Sequence, residues 1–160
     1  MSLRTLARSG LLLTQTGTTW LDRTRPLLAL LARGHVAQAF FLSGLTKLRD
    51  WDITLALFND EYHVPLLPPE LAAWMGTGGE LVLPVLLVLG LGGRFAALGL
   101  SVMNVVAVLS LTDIAPAALQ QHITWGVLLA GLASFGSGPW SVDGWLVRPW
   151  LRQTGCLGLR

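Results

Sequence analysis

Four apolar segments, each about as long as a lipid bilayer is thick, restrict the folds open to this chain. They cover residues 26–48, 70–91, 94–112 and 117–135. A helix rises about 1.5 Å per residue, so about 20 apolar residues cross the hydrocarbon core of a bilayer. Only 12% of the residues are charged, about half the share found in soluble domains. We therefore predict an all-α polytopic membrane protein in which four transmembrane helices form a bundle.

The segments outside these four are too short for a second folded domain. Residues 1–25 are predicted to form an N-terminal cytoplasmic or interfacial helix, with a flexible tail as the alternative. Residues 26–147 make up the transmembrane domain, and residues 148–160 a basic cytoplasmic tail. The long outer connection 49–69 has an apolar face and ends in prolines. This predicts a short interfacial helix, either a lid over the bundle or a simple connector.

Basic residues are distributed unevenly between the two ends of the predicted bundle. One end carries Arg4, Arg8, Arg23, Arg25, Arg94, Arg148, Arg152 and Arg160. The other end carries Lys47 and Arg49 among several acidic residues. Because cytoplasmic loops are enriched in basic residues, this pattern places both termini in the cytoplasm. We predict a multi-pass membrane protein; its location in the bacterial inner (plasma) membrane is implied by the family resemblance described below.

Glu80 lies in the middle of the second apolar segment, where a carboxylate is costly unless it is protonated, paired or hydrated. Helical rise places it about 15 Å from the outer end, near the bilayer midplane. Two interpretations are open. Glu80 is either a protonated carboxyl bonded to another helix, with Asn104 as partner, or a group that accepts protons and orients a ligand. We assign it to a candidate catalytic site on the second interpretation.

Two further polar residues reach similar depths on other helices. Asn104 lies near the level of Glu80, and His122 lies about 7 Å from that level along the membrane normal. Three helices therefore present polar groups to one region. His122 is either a packing residue with one hydrogen bond or a second catalytic residue that exchanges protons near neutral pH. Asn104 is predicted to bind the ligand.

Each of three basic residues has two possible roles, one in membrane topology and one in binding or pairing. Lys47 shares a helical stripe with Arg33 and Gly44. If Gly44 packs against a neighbouring helix, Lys47 points over the outer mouth and holds an anion or a carboxylate; otherwise it extends to the interface. Arg94 is either a topology signal or a ligand-binding residue. Arg33 is predicted to extend to the inner interface or to pair with Asp143.

Other kinds of site find no support in the sequence. His35, His63 and His122 lack the spacing of metal or haem ligands, so we expect no metal and no intrinsic cofactor. Cys156 is the single cysteine, which excludes a dithiol relay within the chain. The basic residues follow the topology, so no nucleic-acid partner is expected.

Three segments together resemble the DoxX family of membrane proteins. FFLSGLTKLRDW, residues 40–51, is similar to the opening signature of the family, and GGELVLPVLLVLGLGGRFAALGL, residues 78–100, resembles its glutamate-centred span and glycine turn. GSGPWSVDGWL, residues 136–146, is similar to the closing Gly-x-Gly-x-x-Ser-x-Asp element, and His122 matches a usual histidine in the fourth helix. The resemblance covers about residues 33–147.

The resemblance implies a four-helix inner-membrane protein linked to redox processes. Members of the family include the small subunit type of thiosulfate:quinone oxidoreductase, partners of oxidative-stress complexes and proteins that accompany modified metal-binding peptides. The matched positions are Lys47, Glu80, Arg94, His122, Ser141 and Asp143. Of the motif residues, Gly44, Ser141 and Asp143 are predicted to be structural.

Three functions are consistent with these features. The first is a membrane subunit of a redox system that binds quinone between the helices and receives electrons from a partner oxidoreductase. The second is a non-catalytic scaffold for a partner complex or for a modified metal-binding peptide system. The third is a small-solute transporter. In addition to the lipid bilayer, the first two functions imply a protein partner. The oligomeric state and the enzymatic character stay open.

Overall fold

A computed structural model describes the backbone of residues 3–147 and of Trp150, and the side chains of residues 21–146 and of Trp150. Apart from Trp150, the predicted basic tail lies outside the described residues. The elements are α1 (Leu3–Arg49), α2 (Trp51–Asp60), α3 (Pro69–Leu89), α4 (Gly93–Ser110), α5 (Pro116–Phe135) and a π-helical turn (Asp143–Val147). The described part of the chain is helical and contains no strand.

Three helical segments are long and apolar enough to cross a membrane: Leu21–Arg49, Pro69–Leu89 and Gly93–Ser110. The predicted all-α membrane protein is thereby confirmed. The fourth predicted span forms as α5, within one residue of the expected start. Its outer turns contain Gln120, Gln121 and His122, which lower its hydropathy below that of the other three. The fourth crossing therefore stays a prediction.

The first helix begins earlier than the apolar pattern predicts. α1 contains 47 residues and passes through Pro26 without ending, so it is about 70 Å long. An interior proline removes one backbone donor but does not end every helix. Since only about 30 Å of helix fits in the hydrocarbon core, a large part of α1 extends beyond the bilayer.

Proline and glycine mark the ends of the shorter helices. Pro69 and Pro116 stand in the first turns of α3 and α5, where the missing N–H would have no helical partner. α3 ends at Gly90, with φ 67°, and α5 ends before Gly136, with φ 79°. Glycine adopts these positive φ angles without the steric cost of a side chain. The connections between α3, α4 and α5 are consequently short.

The helices pack in the order α1, α3, α4 and α5, and α5 also contacts α1. The buried core consists of Val36, Ala37, Phe40, Leu87, Ala96, Ala97, Leu100, Leu129 and Leu132. Several small residues lie at these contacts, as expected for helices that approach closely in a membrane.

The outer surface of the bundle is apolar along its length. Exposed side chains include Leu28, Leu31, Leu42, Val82, Val85, Phe95, Leu98, Val105, Leu109, Ile123 and Val127. A water-facing surface of this extent is rare in soluble monomers, whereas lipid covers it without cost. The tertiary structure thus agrees with the membrane location.

The outer connection covers one end of the bundle. α2 packs on the start of α3 through Phe58 and Ala73. The ring centroids of Trp51 and Trp74 lie 4.2 Å apart. Beyond α2, the backbone N–H of His63 donates to the carbonyl oxygen of Ser110 at 2.9 Å. This cover therefore joins α3 to the end of α4, as the lid alternative requires.

Candidate functional site

The outer half of the bundle contains an ion pair between α1 and α3. Lys47 Nζ donates to Glu80 Oε1 at 2.7 Å and to Oε2 at 2.5 Å, and also to Ser43 Oγ at 2.9 Å. Their side chains are only 17% and 14% exposed. An ammonium has three N–H donors, so these three acceptors use all of them. The charge of Glu80 is thus compensated where a lone carboxylate would be costly.

Gly44 makes this pairing sterically feasible. A Cβ at Gly44 would lie 3.0 Å from Leu81 and 3.1 Å from the Cβ of Glu80. Both distances are shorter than ordinary carbon contacts, so a larger residue would push α1 away from α3. Glycine lets the helices approach closely one turn below Lys47, as the predicted structural role of Gly44 requires.

Lys47 and Glu80 lie in the wall of a cavity of about 450 Å³. Such a volume lies within the range of about 300–1,000 Å³ typical of small-molecule sites. The lining is mostly apolar and includes Phe40, Phe58, Leu67, Met75, Val102, Met103, Val106 and Trp125. Met75 and Val102 are each more than half exposed, so the cavity reaches the lipid-facing surface between α3 and α4.

His122 forms part of the same cavity wall and is held from behind by Asn104. Asn104 Nδ2 donates to the main-chain carbonyl oxygen of His122 at 2.9 Å, and His122 Nδ1 lies 2.8 Å from Asn104 Oδ1. Asn104 is 5% exposed and does not line the cavity. It therefore positions His122, rather than contacting a ligand as predicted.

The hydrogen bond considered between Glu80 and Asn104 does not form. Glu80 bonds to Lys47 on α1, whereas Asn104 bonds to His122 on α5. Two separate polar pairs thus lie beside one cavity, each joining two helices, and Lys47, Glu80 and His122 line its wall. The estimate of depth correctly brought Glu80 and His122 to a common region but did not identify their partners.

The outer cover contributes Tyr62 to the cavity wall. Its ring contacts that of Phe58, with centroids 5.1 Å apart. Burial raises the pKa of the Tyr62 hydroxyl, and the negative charges of Glu61 and Glu80 raise it further. The phenol is consequently neutral well above physiological pH and serves as a hydrogen-bonding group.

Sequence reasoning overlooked four polar residues at the cavity: Ser43, Tyr62, Ser110 and Trp125. Ser43 lies one helical turn before Lys47, a spacing that indicates a shared face. Tyr62 and Trp125 carry no comparable signal, because one lies in the outer connection and the other looks like an ordinary apolar residue of α5.

Arg94 does not line this cavity, so the structure does not bring it together with Lys47, the other basic residue predicted to bind the ligand. It stands in the first turn of α4, at the opposite end of the bundle, and its Nη2 donates to the carbonyl oxygen of Ser134 at 3.3 Å. The contact joins the start of α4 to the end of α5. Arg94 therefore has a structural contact in addition to its topological position.

The closing sequence element stabilises the start of α4. Asp143 Oδ1 accepts from the N–H of Gly92 at 3.0 Å, and Oδ2 accepts from that of Gly93 at 3.1 Å. These N–H groups have no partner within the helix, and a carboxylate there also interacts favourably with the helix dipole. Ser141 Oγ accepts from the N–H of Gly144 and donates to the carbonyl oxygen of Gly138. The predicted structural roles of Ser141 and Asp143 thus have a geometric basis.

Arg33 neither extends to the interface nor pairs with Asp143. Its side chain is 0% exposed and donates to three carbonyl oxygens, of Ala29, Val88 and Trp140. The shortest of these bonds, 2.5 Å, reaches the segment after α5. Arg33 therefore holds that segment against α1 and α3, far from the cavity.

These features define a class: an all-α polytopic membrane protein with a largely apolar intramembrane cavity and a buried ion pair. The chain belongs to the DoxX family, whose pattern matches residues 28–113, more than half of the sequence. The match includes Lys47, Glu80 and Arg94 and ends before α5. No curated protein and no solved structure matches the chain significantly.

The described side chains contain no cluster of metal-ligating groups. Among the described side chains, those of residues 21–146, no three of His, Cys, Asp or Glu come together as a group able to hold a metal ion.

Proposed function

We propose that this DoxX protein is the membrane subunit of a redox system and binds a quinone of the membrane pool in the cavity beside Lys47 and Glu80. The observation that carries the proposal is the position of two polar pairs, Lys47–Glu80 and Asn104–His122, around one apolar cavity. Family membership supports the membrane location and the link to redox processes.

The apolar part of the cavity suits a lipophilic ring. Phe40 and Trp125 lie with their ring centroids 5.5 Å apart in the wall, and Phe58 closes the outer side. An opening between α3 and α4 would admit a ligand directly from the lipid. Because membrane quinones are dissolved in the lipid, such a ligand needs no aqueous route.

The polar part suits proton exchange. Reduction of a quinone to a quinol consumes two electrons and two protons, and the reverse reaction releases them. Glu80 and His122 are groups able to exchange protons at the ring oxygens. Lys47 pairs with the carboxylate of Glu80, and Asn104 orients the imidazole of His122. Since the chain has no cofactor motif of its own, the electrons pass to or from a partner oxidoreductase.

The proposed location is the bacterial inner membrane, with both termini in the cytoplasm. Trp140, Trp145 and Trp150 are exposed near one end of the bundle, where aromatic residues anchor proteins at the membrane interface. Arg94 lies at this same end. The cavity and its cover would then lie in the outer half of the membrane.

Quinone content of the purified protein tests this function. The full chain is purified in lipid nanodiscs, and bound quinone is extracted and quantified by liquid chromatography. We expect the unaltered protein to retain quinone and the Glu80→Gln, His122→Ala double variant to lose it. Glu70→Gln and Gln121→Ala are the matched controls, because both residues are exposed on the same two helices.

Two other results would contradict the proposal. Absence of quinone from the unaltered protein, together with copurification of a partner that the double variant still binds, would favour a scaffold. Uptake of a solute into proteoliposomes that contain this chain alone would favour a transporter.

A further inference from the structure

The hydrogen bonds of Asn104 determine which nitrogen of His122 carries a proton. The main-chain carbonyl oxygen of His122 can only accept, so the amide nitrogen of Asn104 must face it at 2.9 Å. Asn104 Oδ1 is then the atom 2.8 Å from Nδ1. Because an amide oxygen also only accepts, Nδ1 must be the donor. In a neutral imidazole with a proton on Nδ1, Nε2 is an acceptor.

The surroundings of His122 favour this neutral form. Its ring is hydrogen-bonded to the uncharged Asn104. The centroids of the His122 and Trp125 rings lie 5.1 Å apart in an edge-to-face arrangement. Among the described residues, the carboxylates in salt bridges belong to Asp22 and Glu80, and their partners are Arg25 and Lys47. Nε2 is therefore the ring nitrogen that remains available to a ligand as an acceptor.

Glu80 is an acceptor for a different reason. Its two oxygens have about four lone-pair positions, of which Lys47 uses one on each oxygen. The remaining positions are free to accept, and Glu80 lines the cavity. Lys47 has no N–H left for a ligand, since Ser43 takes its third donor. The ion pair thus presents acceptors and no free donor.

We infer that the cavity selects the reduced, dihydroxy form of its ligand, a quinol, over the oxidised dione. This inference rests on the proposed function, since it concerns the same cavity and the same ligand. A quinol carries two O–H donors at opposite ends of its ring, which match acceptors on Glu80 and His122. A quinone carries only carbonyl acceptors, which would face those same lone pairs without a proton between them.

The other polar groups of the wall do not reverse this preference. The hydroxyls of Ser43 and Tyr62 donate or accept equally well. Ser110 donates to the carbonyl oxygen of Val106 at 2.6 Å, which leaves it as an acceptor. The indole Nε1 of Trp125 has no hydrogen-bond partner among the described residues, but it is fully buried and so is not exposed at the surface of the wall.

Comparison of the two redox forms of one ligand tests the inference. A short-chain benzoquinone and its quinol are titrated anaerobically into the full chain in nanodiscs, and Kd is measured by calorimetry. We expect the quinol to bind about tenfold more tightly or better, which corresponds to one additional hydrogen bond to a charged group. The midpoint potential of the bound couple should then lie about 30 mV or more above that of the free couple.

The outcomes separate this inference from the function on which it rests. Equal affinity, or tighter binding of the quinone, would overturn the selectivity and leave the cavity a quinone site. If neither the quinone nor the quinol bound, the proposed function itself would be contradicted. This measurement uses the unaltered protein, so it does not depend on the folding of a variant.

Two variants identify the groups responsible. Glu80→Gln replaces an acceptor by a side chain that also donates, and Asn104→Leu releases the His122 ring from its fixed orientation; each should reduce the ratio of the two affinities. Glu70→Gln should leave the ratio unchanged. Nitrogen-15 NMR of labelled histidine gives an independent check, because it should show a proton on Nδ1 of His122, with the resonance assigned by its loss in His122→Gln. A proton on Nε2 instead would contradict the inference.

Discussion

Lys47 on α1 donates to both carboxylate oxygens of Glu80 on α3, at 2.7 and 2.5 Å. This contact joins two helices one turn from their close approach at Gly44 and places a compensated charge in the wall of a mostly apolar cavity. It explains how a carboxylate near the predicted midplane of the membrane is retained in the folded protein.

The first prediction concerns the stability of this pair. Lys47→Met should lower the free energy of unfolding in detergent by about 3 kcal/mol, because it leaves a largely buried carboxylate without its partner. Adding Glu80→Gln should recover much of the loss, since no uncompensated charge then remains. Arg49→Met, at the exposed end of the same helix, is the control. If the double variant lost as much as the sum of the single variants, the two residues would not be coupled.

The second prediction compares two glycines of α1. Gly44→Ala should destabilise the protein by about 1–3 kcal/mol, because the new Cβ would lie 3.0 Å from Leu81. Gly34→Ala should be neutral or stabilising by up to about 1 kcal/mol, since no atom lies within 4 Å of its Cβ. Thermal unfolding in detergent measures both. Similar shifts of the midpoint in the two variants would rule out a special close approach at Gly44.

The third prediction concerns the start of α4. Asp143→Ala should cost about 1–2 kcal/mol, since the N–H groups of Gly92 and Gly93 lose their acceptor. Asp143→Asn should cost less, because one oxygen remains. Asp113→Ala removes an exposed carboxylate from the outer turn and serves as the control. An unchanged unfolding midpoint for Asp143→Ala would show that the cap contributes nothing measurable.

The fourth prediction concerns the single tyrosine of the chain. Since the pKa of Tyr62 is raised above 10.0, its absorbance near 295 nm should change only above that pH in the folded protein. The unfolded chain binds fewer protons than the folded chain in this range. The associated stability is therefore full below pH 10 and decreases as pH rises through the folded pKa. Glu61→Gln should move the transition towards lower pH, whereas Asp52→Gln, on the outer face of α2, should not.

Helix positions in the middle and end of the chain could be predicted from the apolar pattern and from proline and glycine. α3, α4 and α5 begin within one residue of the predicted starts. The pattern did not show that the predicted N-terminal helix and the first span form one helix, because residues 3–25 are too polar to resemble a span and yet continue α1 through Pro26. Helical rise predicted similar depths for Glu80 and His122, and the structure places both in the wall of one cavity.

The sequence by itself determined the class of fold, the family and the depths of the polar residues, because all three depend on order and spacing along one chain. Only the tertiary structure decided that Lys47 pairs with Glu80, that Asn104 pairs with His122 and that Arg94 lies apart from both. Partners depend on the lateral order of the helices and on the rotation of each about its axis. Those two quantities follow from close packing at residues such as Gly44, and the spacing of apolar residues does not specify them.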